Sequence, residues 1–426
     1  MEGDIVITNA AELVTCSGTH AKKGRSMGEL HVIPDGAVVI EKGVITRVGT
    51  TAEVTRGIDL SGKDVIDAAG KAVLPGFIDS HTHFVFAGFR ADEFSWRLGG
   101  MTYMEIMKRG GGIASTVEAT RRATKEELIE SGRRRLDRML SFGVTTVEGK
   151  SGYGLDRETE GKQLEAMAAL DASHPLDVAR TFLGAHAVPG QYRDDPDAYV
   201  DYLVADVLPG IAGGGLAEFC DVFCEKGVFT IEQSRRLLTA AQGLGLRPKL
   251  HADEMTTHGG AELAAEMHAV SADHLLHASD SGLRMMADAG VVAVLLPGTA
   301  FNLKEPYARA RFMIDSGCAV ALATDLNPGS CFSESIPLVF SLAVLYMGMT
   351  IEEAVCALTI NGAAAVGRAS TVGSIDVGKQ GDAVILEFPS YRYIPYHVGV
   401  NSVEKVVKKG RLVFDASGRN EGARRC

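Results

Sequence analysis

VLPGFIDSHTHFVFAG, residues 73–88, is the stretch on which the fold turns. An apolar run of strand length ends in two histidines spaced i, i+2, and another apolar loop follows instead of a glycine-rich phosphate turn. A doubly wound nucleotide-binding fold would need such a turn after its first strand, so that architecture is set aside. From Lys71 to about Arg368 one pattern recurs: a short apolar run, a loop, then a longer segment of helical period. Eight runs read as strands: VLPGFID (73–79), TTVEGK (145–150), ARTFLGA (179–185), FCDVFCE (219–225), RPKL (247–250), SADHLL (271–276), VVAVLLP (291–297) and AVALAT (319–324). Eight is the number that closes a parallel barrel. Segments such as Lys125 to Phe142 and Glu158 to Ala172 fit amphipathic helices packed outside it.

The two ends of the chain differ from this array. Residues 1 to about 72 alternate apolar runs (DIVITNA, GAVVIEKGVITRVG, DVIDAAG) with turn residues, which reads as antiparallel β-structure. The same character returns after Gly373 in GSIDVGKQGDAVILEF and VEKVVKKGRLVF. The expected fold is α/β: a (β/α)8 TIM-like barrel over residues 73–372, with a small β-sandwich domain formed by 1–72 and 373–426.

Composition narrows the function classes. With 426 residues, 46% hydrophobic and 23% charged, the chain has the balance of an ordinary globular protein. A net charge of -11 argues against a nucleic-acid partner, which demands a basic surface. The acidic start MEGDIVITNA lacks the pattern of a secretory leader, and the longest apolar run, Val291 to Pro297, is far below the roughly 20 residues of a membrane span. Seven scattered cysteines without a CxxC pair read as reduced core thiols, which points to the cytoplasm; Cys220 and Cys224 alternate along a strand and read as packing. The default expectation for assembly is a homodimer.

Ionisable residues cluster where a barrel places its chemistry, just past the C-terminal ends of the strands. His81 and His83 follow the first run, Lys150 and Tyr153 the second, His186 the third and Glu225 the fourth. His251 and Glu254 follow the fifth, His274 lies in the sixth, and Asp325 follows the eighth. Histidines spaced i, i+2 at a strand end point the same way and can share a cation, although an HxH alone is a weak signal. With His251 and Asp325 the set becomes three neutral imidazoles and a carboxylate, which suits Zn or Fe(II) with a position left for water. A divalent metal lowers the pKa of bound water from 15.7 to about 7, so hydrolysis is the natural reaction class. Glu254, in HADE, is placed to carry a proton between water and a leaving nitrogen; the plainer reading is a carboxylate at a helix N-terminus. His274 reads as a contact to water or carbonyl, against the alternative of a satisfied core histidine. Which of Glu254, His274 and Asp325 takes the proton stays open at this point.

The segments HTHFVFAGFRADEF, TYMEIMKRGGGIASTV, EGKSGYGL, TFLGAHAVP, DVFCEKGVF, LHADE, SADHL, LLPGTAF and ATDLNPGS follow one another between residues 81 and 330. Together they resemble the amidohydrolase superfamily and, within it, the imidazolonepropionase family. The resemblance implies hydrolysis of the ring amide of 4-imidazolone-5-propanoate to N-formimino-L-glutamate, in histidine degradation, with one metal held by His81, His83, His251 and Asp325. It makes Arg90, Tyr153, His186 and Glu254 substrate contacts, adds Asn327, Gly329 and Ser330 from the last loop, and brings Tyr103 to the pocket. Two-metal members of the superfamily use a bridging lysine or carboxylate near the position of Glu225 and Lys226. Arg90 offers a planar fork for a propanoate tail, the competing reading being a surface ion pair with Asp92 or Glu93. The glycines of RGGGIAS and KSGYG permit close backbone approach, or are ordinary loop breakers. A related aminohydrolase acting on a cyclic base is the alternative, and would have no need of Arg90. A catalytically silent metal site and a serine or cysteine hydrolase are weaker rivals, the last lacking any GxSxG turn.

Overall fold

The computed structural model describes residues 3–60, 63–102, 105–106 and 109–416. Five strands precede the barrel: β1 (Ile5–Val14), β2 (Val32–Glu41), β3 (Val44–Thr50), β4 (Asp64–Asp67) and β5 (Ala72–Pro75). The barrel strands are β6 (Phe77–Asp79), β7 (Val144–Lys150), β8 (Asp177–Ala185), β9 (Phe219–Cys224), β10 (Arg247–Ala252), β11 (Ser271–His274), β12 (Val292–Leu295) and β13 (Ala319–Leu322). Three more close the chain: β14 (Ala383–Leu386), β15 (Val403–Lys408) and β16 (Arg411–Asp415).

Strands β6 to β13 pair in sequence order, all parallel. The seam between the first and last is knitted by residues at the rim itself. Thr324 donates to Asp79 from its backbone at 3.0 Å and from its hydroxyl at 2.7 Å. The Asp325 amide donates to His81 O at 3.0 Å, and the His83 amide to Leu326 O at 2.9 Å. Barrel closure and the orientation of three prospective ligands are therefore one set of hydrogen bonds.

The other sheet runs β16-β15-β14-β5-β1-β2-β3, with β4 also on β1, so strands from both ends of the chain pair through β5 and β14. Two details depart from the sequence reading. First, β4 and β5 lie parallel to β1, not antiparallel. Parallel pairing needs a crossover of about a dozen residues, and the stretch from Thr51 to Lys63, opening with the helix Thr51–Thr55, supplies it. Second, the run 73–79 is two strands. It breaks at Gly76, where a Cβ would meet Thr145 Oγ1 at 2.2 Å, so only glycine lets the chain leave one sheet and enter the other.

The outer helices bury what their period predicts. Helix Lys125–Ser141 starts with a Thr124/Glu127 capping box and buries Leu128, Gly132, Leu136, Met139 and Leu140. Helix Arg157–Ser173 likewise buries Leu164, Met167 and Leu170 against the barrel. Each fully buried leucine contributes about 1.5–3 kcal/mol. Arg135, also on the first of these helices, donates to Phe84 O at 2.7 Å and Phe86 O at 3.2 Å, and lies over the Phe86 ring at 3.6 Å. The loop after His83 is thereby tied to a rigid helix. Among the described residues, no helix is long and apolar enough to cross a membrane.

Candidate active site

His81 and His83 follow β6, His251 lies near the end of β10, and Asp325 follows β13. Their polar atoms converge. His83 Nε2 and His251 Nε2 are 3.4 Å apart, and Asp325 Oδ1 is 3.5 Å from His81 Nε2 and 3.8 Å from His83 Nε2. The ligand atoms of His81, His83 and His251 lie within 4.8 Å of one another, as do those of His81, His274 and Asp325. Carboxylates fix two of the tautomers. His81 Nδ1 donates to Asp273 Oδ2 at 2.6 Å and His251 Nδ1 to Asp221 Oδ2 at 3.1 Å, so each presents an Nε2 lone pair to the centre. Burial, reinforced by Lys150 in His81 and His251 and by His186 in His83, holds all three imidazoles far below their usual pKa. The neutral rings could serve as metal ligands. His81 Nε2 is buried without a hydrogen-bond partner. Asp325 accepts from Thr299 Oγ1 at 2.6 Å, yet burial pushes its carboxyl up to about 7.

Below this centre lies a buried charge network. Lys150 Nζ is 2.6 Å from Asp221 Oδ2, 3.1 Å from Asp273 Oδ2 and 3.2 Å from Glu148 Oε1. Lys249 Nζ reaches Glu148 Oε2 at 2.6 Å. Three carboxylates against two ammonium groups leave one negative charge, and ionised Asp325 adds a second. A divalent cation among the imidazoles would bring the centre to neutrality, and the orphaned His81 Nε2 and the facing His83 and His251 could hold it. The donor set fits a metal. A further group that could hold an ion, His81 with Glu148 and Asp273, has Lys150 already on its two carboxylates.

Lys150 was expected on the rim beside Tyr153; it is the last residue of β7 and turns inward instead. Asp221, Asp273, Glu148 and Lys249 were not singled out from the sequence at all. Their signal was there: each is a charged residue inside an apolar strand, as in FCDVFC, SADH and RPKL. Glu225, near the place of a second-metal bridge, is spent elsewhere. Its carboxylate accepts from the amides of Met255 at 2.9 Å and Lys226 at 3.0 Å and from Thr256 Oγ1.

Above the centre opens a cavity of about 520 Å³ whose walls include Arg90, Tyr153, His186, Glu254, His274, Asn327, Gly329 and Ser330. Glu254 Oε1 is 3.5 Å from His274 Nδ1, and burial, with Asp325 nearby, pushes the Glu254 carboxyl up to about 8. The helix-terminus role belongs to its neighbour. Asp253, at φ 49°, accepts from the amides of His258, Gly259, Gly260 and Ala261, at the start of helix Gly260–Glu266, which leaves Glu254 on the cavity wall. His274 Nδ1 is buried without a hydrogen bond, so this is not a satisfied core histidine. His186 Nδ1 donates to Gly152 O at 3.0 Å, leaving Nε2 as an acceptor, and its ring stacks on His83 at 5.0 Å. Gly152, at φ 104°, has no room for a Cβ, which would lie 2.8 Å from that Nδ1; Glu160 accepts from the Gly152, Gly154 and Leu155 amides. The glycines of KSGYG thus serve close approach.

Arg90 makes the ion pair of the competing reading and also lines the cavity. Its Nε donates to Glu93 Oε2 at 2.8 Å, the ion pair named as the competing reading, while its Nη1 abuts Gly329, where a Cβ would come within 2.2 Å. Asn327 lines the wall with its amide spent on the loop. Its Oδ1 accepts from the Gly329 and Ser330 amides at 2.8 Å, and its Nδ2 donates to Asp325 O and Ser330 Oγ. Tyr103 lies outside the described residues.

A family model described as the amidohydrolase family matches residues 64–116 and 105–414. An imidazolonepropionase of Clostridium tetani (strain Massachusetts / E88) is 58% identical over 416 residues, covering 98% of this chain and 99% of that one. Another, from Parabacteroides distasonis, is 60% identical over 408 residues, covering 96% and 98%. The chain belongs to the imidazolonepropionase family of amidohydrolases. Among solved structures, an adenosine deaminase from Xanthomonas campestris with bound zinc superposes with a TM-score of 0.70 at 18% identity, covering 99% of this chain and 97% of that one. A 5-methylcytosine deaminase from Klebsiella pneumoniae does so with a TM-score of 0.71 at 16% identity, covering 96% and 98%. These two share the fold. As an imidazolonepropionase-family member the chain is a hydrolase of a metal-dependent superfamily, and the aminohydrolase alternative is not favoured.

Proposed function

We propose that the chain hydrolyses the ring amide of 4-imidazolone-5-propanoate to N-formimino-L-glutamate, a step of histidine degradation, with one Zn or Fe ion held by His81, His83, His251 and Asp325. The observation that carries this reading is the pairing, in one cavity, of a neutral-imidazole centre with an arginine on the wall. A divalent ion there would polarise the ring carbonyl and lower the pKa of water. The chain's own groups do the rest. Glu254, when ionised, takes the proton from water and returns it to the leaving ring nitrogen. His274 donates to or accepts from the reacting oxygen beside it. His186 offers an Nε2 acceptor to a ring N–H, and Tyr153, against His83 and His186, closes that side against water. Arg90, oriented by Glu93, keeps its terminal nitrogens for the propanoate.

The test offers purified enzyme freshly made imidazolone propanoate beside guanine, cytosine and hydantoin. Turnover of the first alone is expected; turnover of a neutral base in its place would overturn the reading. A cytoplasmic location is proposed from the six cysteines among the described residues, all free and buried. A homodimer is proposed from exposed apolar side chains on two packed helices, Leu345 and Tyr346 on one and Tyr396 on the other.

A further inference from the structure

Helix Ala91–Leu98 begins at Arg90 and carries Arg97 in its last turn. Seven residues separate the two arginines, about two helical turns, so both project from one face, with Glu93 between them. Glu93 is buried and already engaged: Oε2 accepts from Arg90 Nε at 2.8 Å and Oε1 from Ser115 Oγ at 3.2 Å. Arg97 is in the opposite condition. Its Nη2 is shut off from solvent and has no hydrogen-bond partner among the described residues. A surface arginine extends its head into water; a guanidinium nitrogen with neither water nor acceptor is costly, and such a site accepts an anion readily.

The surroundings match one. A side cavity of about 70 Å³ is walled by Arg90, Glu93, Phe94, Arg97, Ile106 and Gly329, and Arg90, Arg97 and Gly329 line the main cavity as well. At roughly 30 Å³ for one water, that volume accepts about two oxygen atoms, the size of a carboxylate head. Two guanidiniums against one glutamate leave a single positive charge, the complement of one carboxylate. Burial and the like charge of Arg90 hold Arg97 below the usual arginine value, consistent with two cations kept close together.

We infer that Arg97 is a second specificity-determining arginine, and that the substrate's acidic arm ends in the side cavity between Arg90 and Arg97. This rests on the proposed substrate, and adds that the enzyme measures where the carboxylate lies as well as whether it is present.

The test measures binding of 3-(imidazol-4-yl)propanoate and of 4-propylimidazole, its uncharged counterpart, by calorimetry to the metal-loaded wild type, Arg97→Met and Arg97→Lys. It also measures turnover of imidazolone propanoate by the same proteins. Arg97→Met should weaken capture of the propanoate, and raise KM, about tenfold or more. Its kcat should stay within about twofold, with metal content unchanged and binding of 4-propylimidazole unaltered. Arg97→Lys should recover part of the loss. Unchanged propanoate binding in folded Arg97→Met, or equal losses on both ligands, would overturn the inference. Arg97→Gln gives the same comparison if the Met variant does not fold. Failure of the wild type to turn over imidazolone propanoate while still preferring the propanoate ligand through Arg97 would sink the proposed reaction and leave the arginine pair standing.

Discussion

The Lys150 ammonium stands 2.6 Å from Asp221 Oδ2, the same oxygen that accepts from His251 Nδ1 at 3.1 Å. It does the like at Asp273, whose Oδ2 it approaches at 3.1 Å and which accepts from His81. One buried cation therefore ties together both carboxylates that set imidazole tautomers. Burial alone would lower the Lys150 pKa, but Asp221, Asp273 and Glu148 outweigh it and hold the group charged. Lys150→Met should lose about 3–5 kcal/mol in denaturant unfolding of the metal-free protein, because it strands buried carboxylates. Lys150→Arg should recover little, since a guanidinium overfills a fully buried cage. A Met variant as stable as the wild type would show that the network does not hold the barrel.

The ligand set and the carboxylates behind it should separate by metal content. His81→Ala and Asp325→Ala are expected to lose the ion with the fold retained, because each removes an atom facing the centre. Asp273→Asn keeps every proposed ligand but removes the negative charge behind His81 and beside Lys150, so metal should stay but bind about 10–100-fold more weakly. Elemental analysis and chelator competition measure both effects. Full occupancy in His81→Ala and Asp325→Ala would remove these residues from the ligand set.

The barrel was legible because most of its strands are short apolar runs with a polar residue at the rim, a pattern that period and position expose together. His81, His83, His251, His274 and Asp325 were read from that pattern, and the structure brings them to one centre. What stayed hidden depends on which way a side chain turns. Lys150 looked like a rim residue by position, and only the inward turn of its strand end sends it to Asp221 and Asp273. Pro75 and Phe77 looked like one strand because the break between them is a matter of steric room at Gly76. The Arg90 and Glu93 pairing, the competing reading of that arginine, is present through Nε, and Arg90 also lines the cavity.

Asp177, at the start of β8, joins the barrel to the terminal sheet: its carboxylate takes Lys408 at 2.7 Å, Lys409 at 2.6 Å and Gln380 at 2.8 Å. Burial would raise its pKa, but Lys408, Gln380 and Lys409 outweigh that and hold it well below the usual carboxylate value. A carboxyl depressed in the fold contributes stability above its unfolded value, near 3.9, and loses it as pH falls through the folded one. Asp177→Asn should cost about 1–3 kcal/mol at pH 7. The difference from wild type should shrink as pH drops below about 4, followed by thermal unfolding across pH. A gap that stays constant from pH 7 to 3 would mean that the ion pairs are not its source.

The Glu254 carboxyl has no structural hydrogen bond of its own among the described residues. It lies on the cavity wall, 3.5 Å from His274 Nδ1, with burial and Asp325 raising its pKa to about 8. Its backbone is steadied independently of its side chain, since Asp253 caps the following turn through four amides. Replacing the Glu254 carboxyl should therefore leave the turn, the fold and the metal centre intact and remove only proton transfer. General acid or base catalysis commonly contributes about 10²–10⁴ in rate, so Glu254→Gln should lower kcat by that order with full metal content and nearly unchanged KM. Glu254→Asp retains a carboxyl but withdraws it from the reacting nitrogen, and should fall between the two. Asp253→Asn supplies the contrast: it weakens the cap at an amide-rich turn and should lower stability by about 0.5–2 kcal/mol, with a smaller effect on kcat. If Glu254→Gln turns over at the wild-type rate while His274→Gln does not, the proton passes through His274, and Glu254 serves only to orient that imidazole.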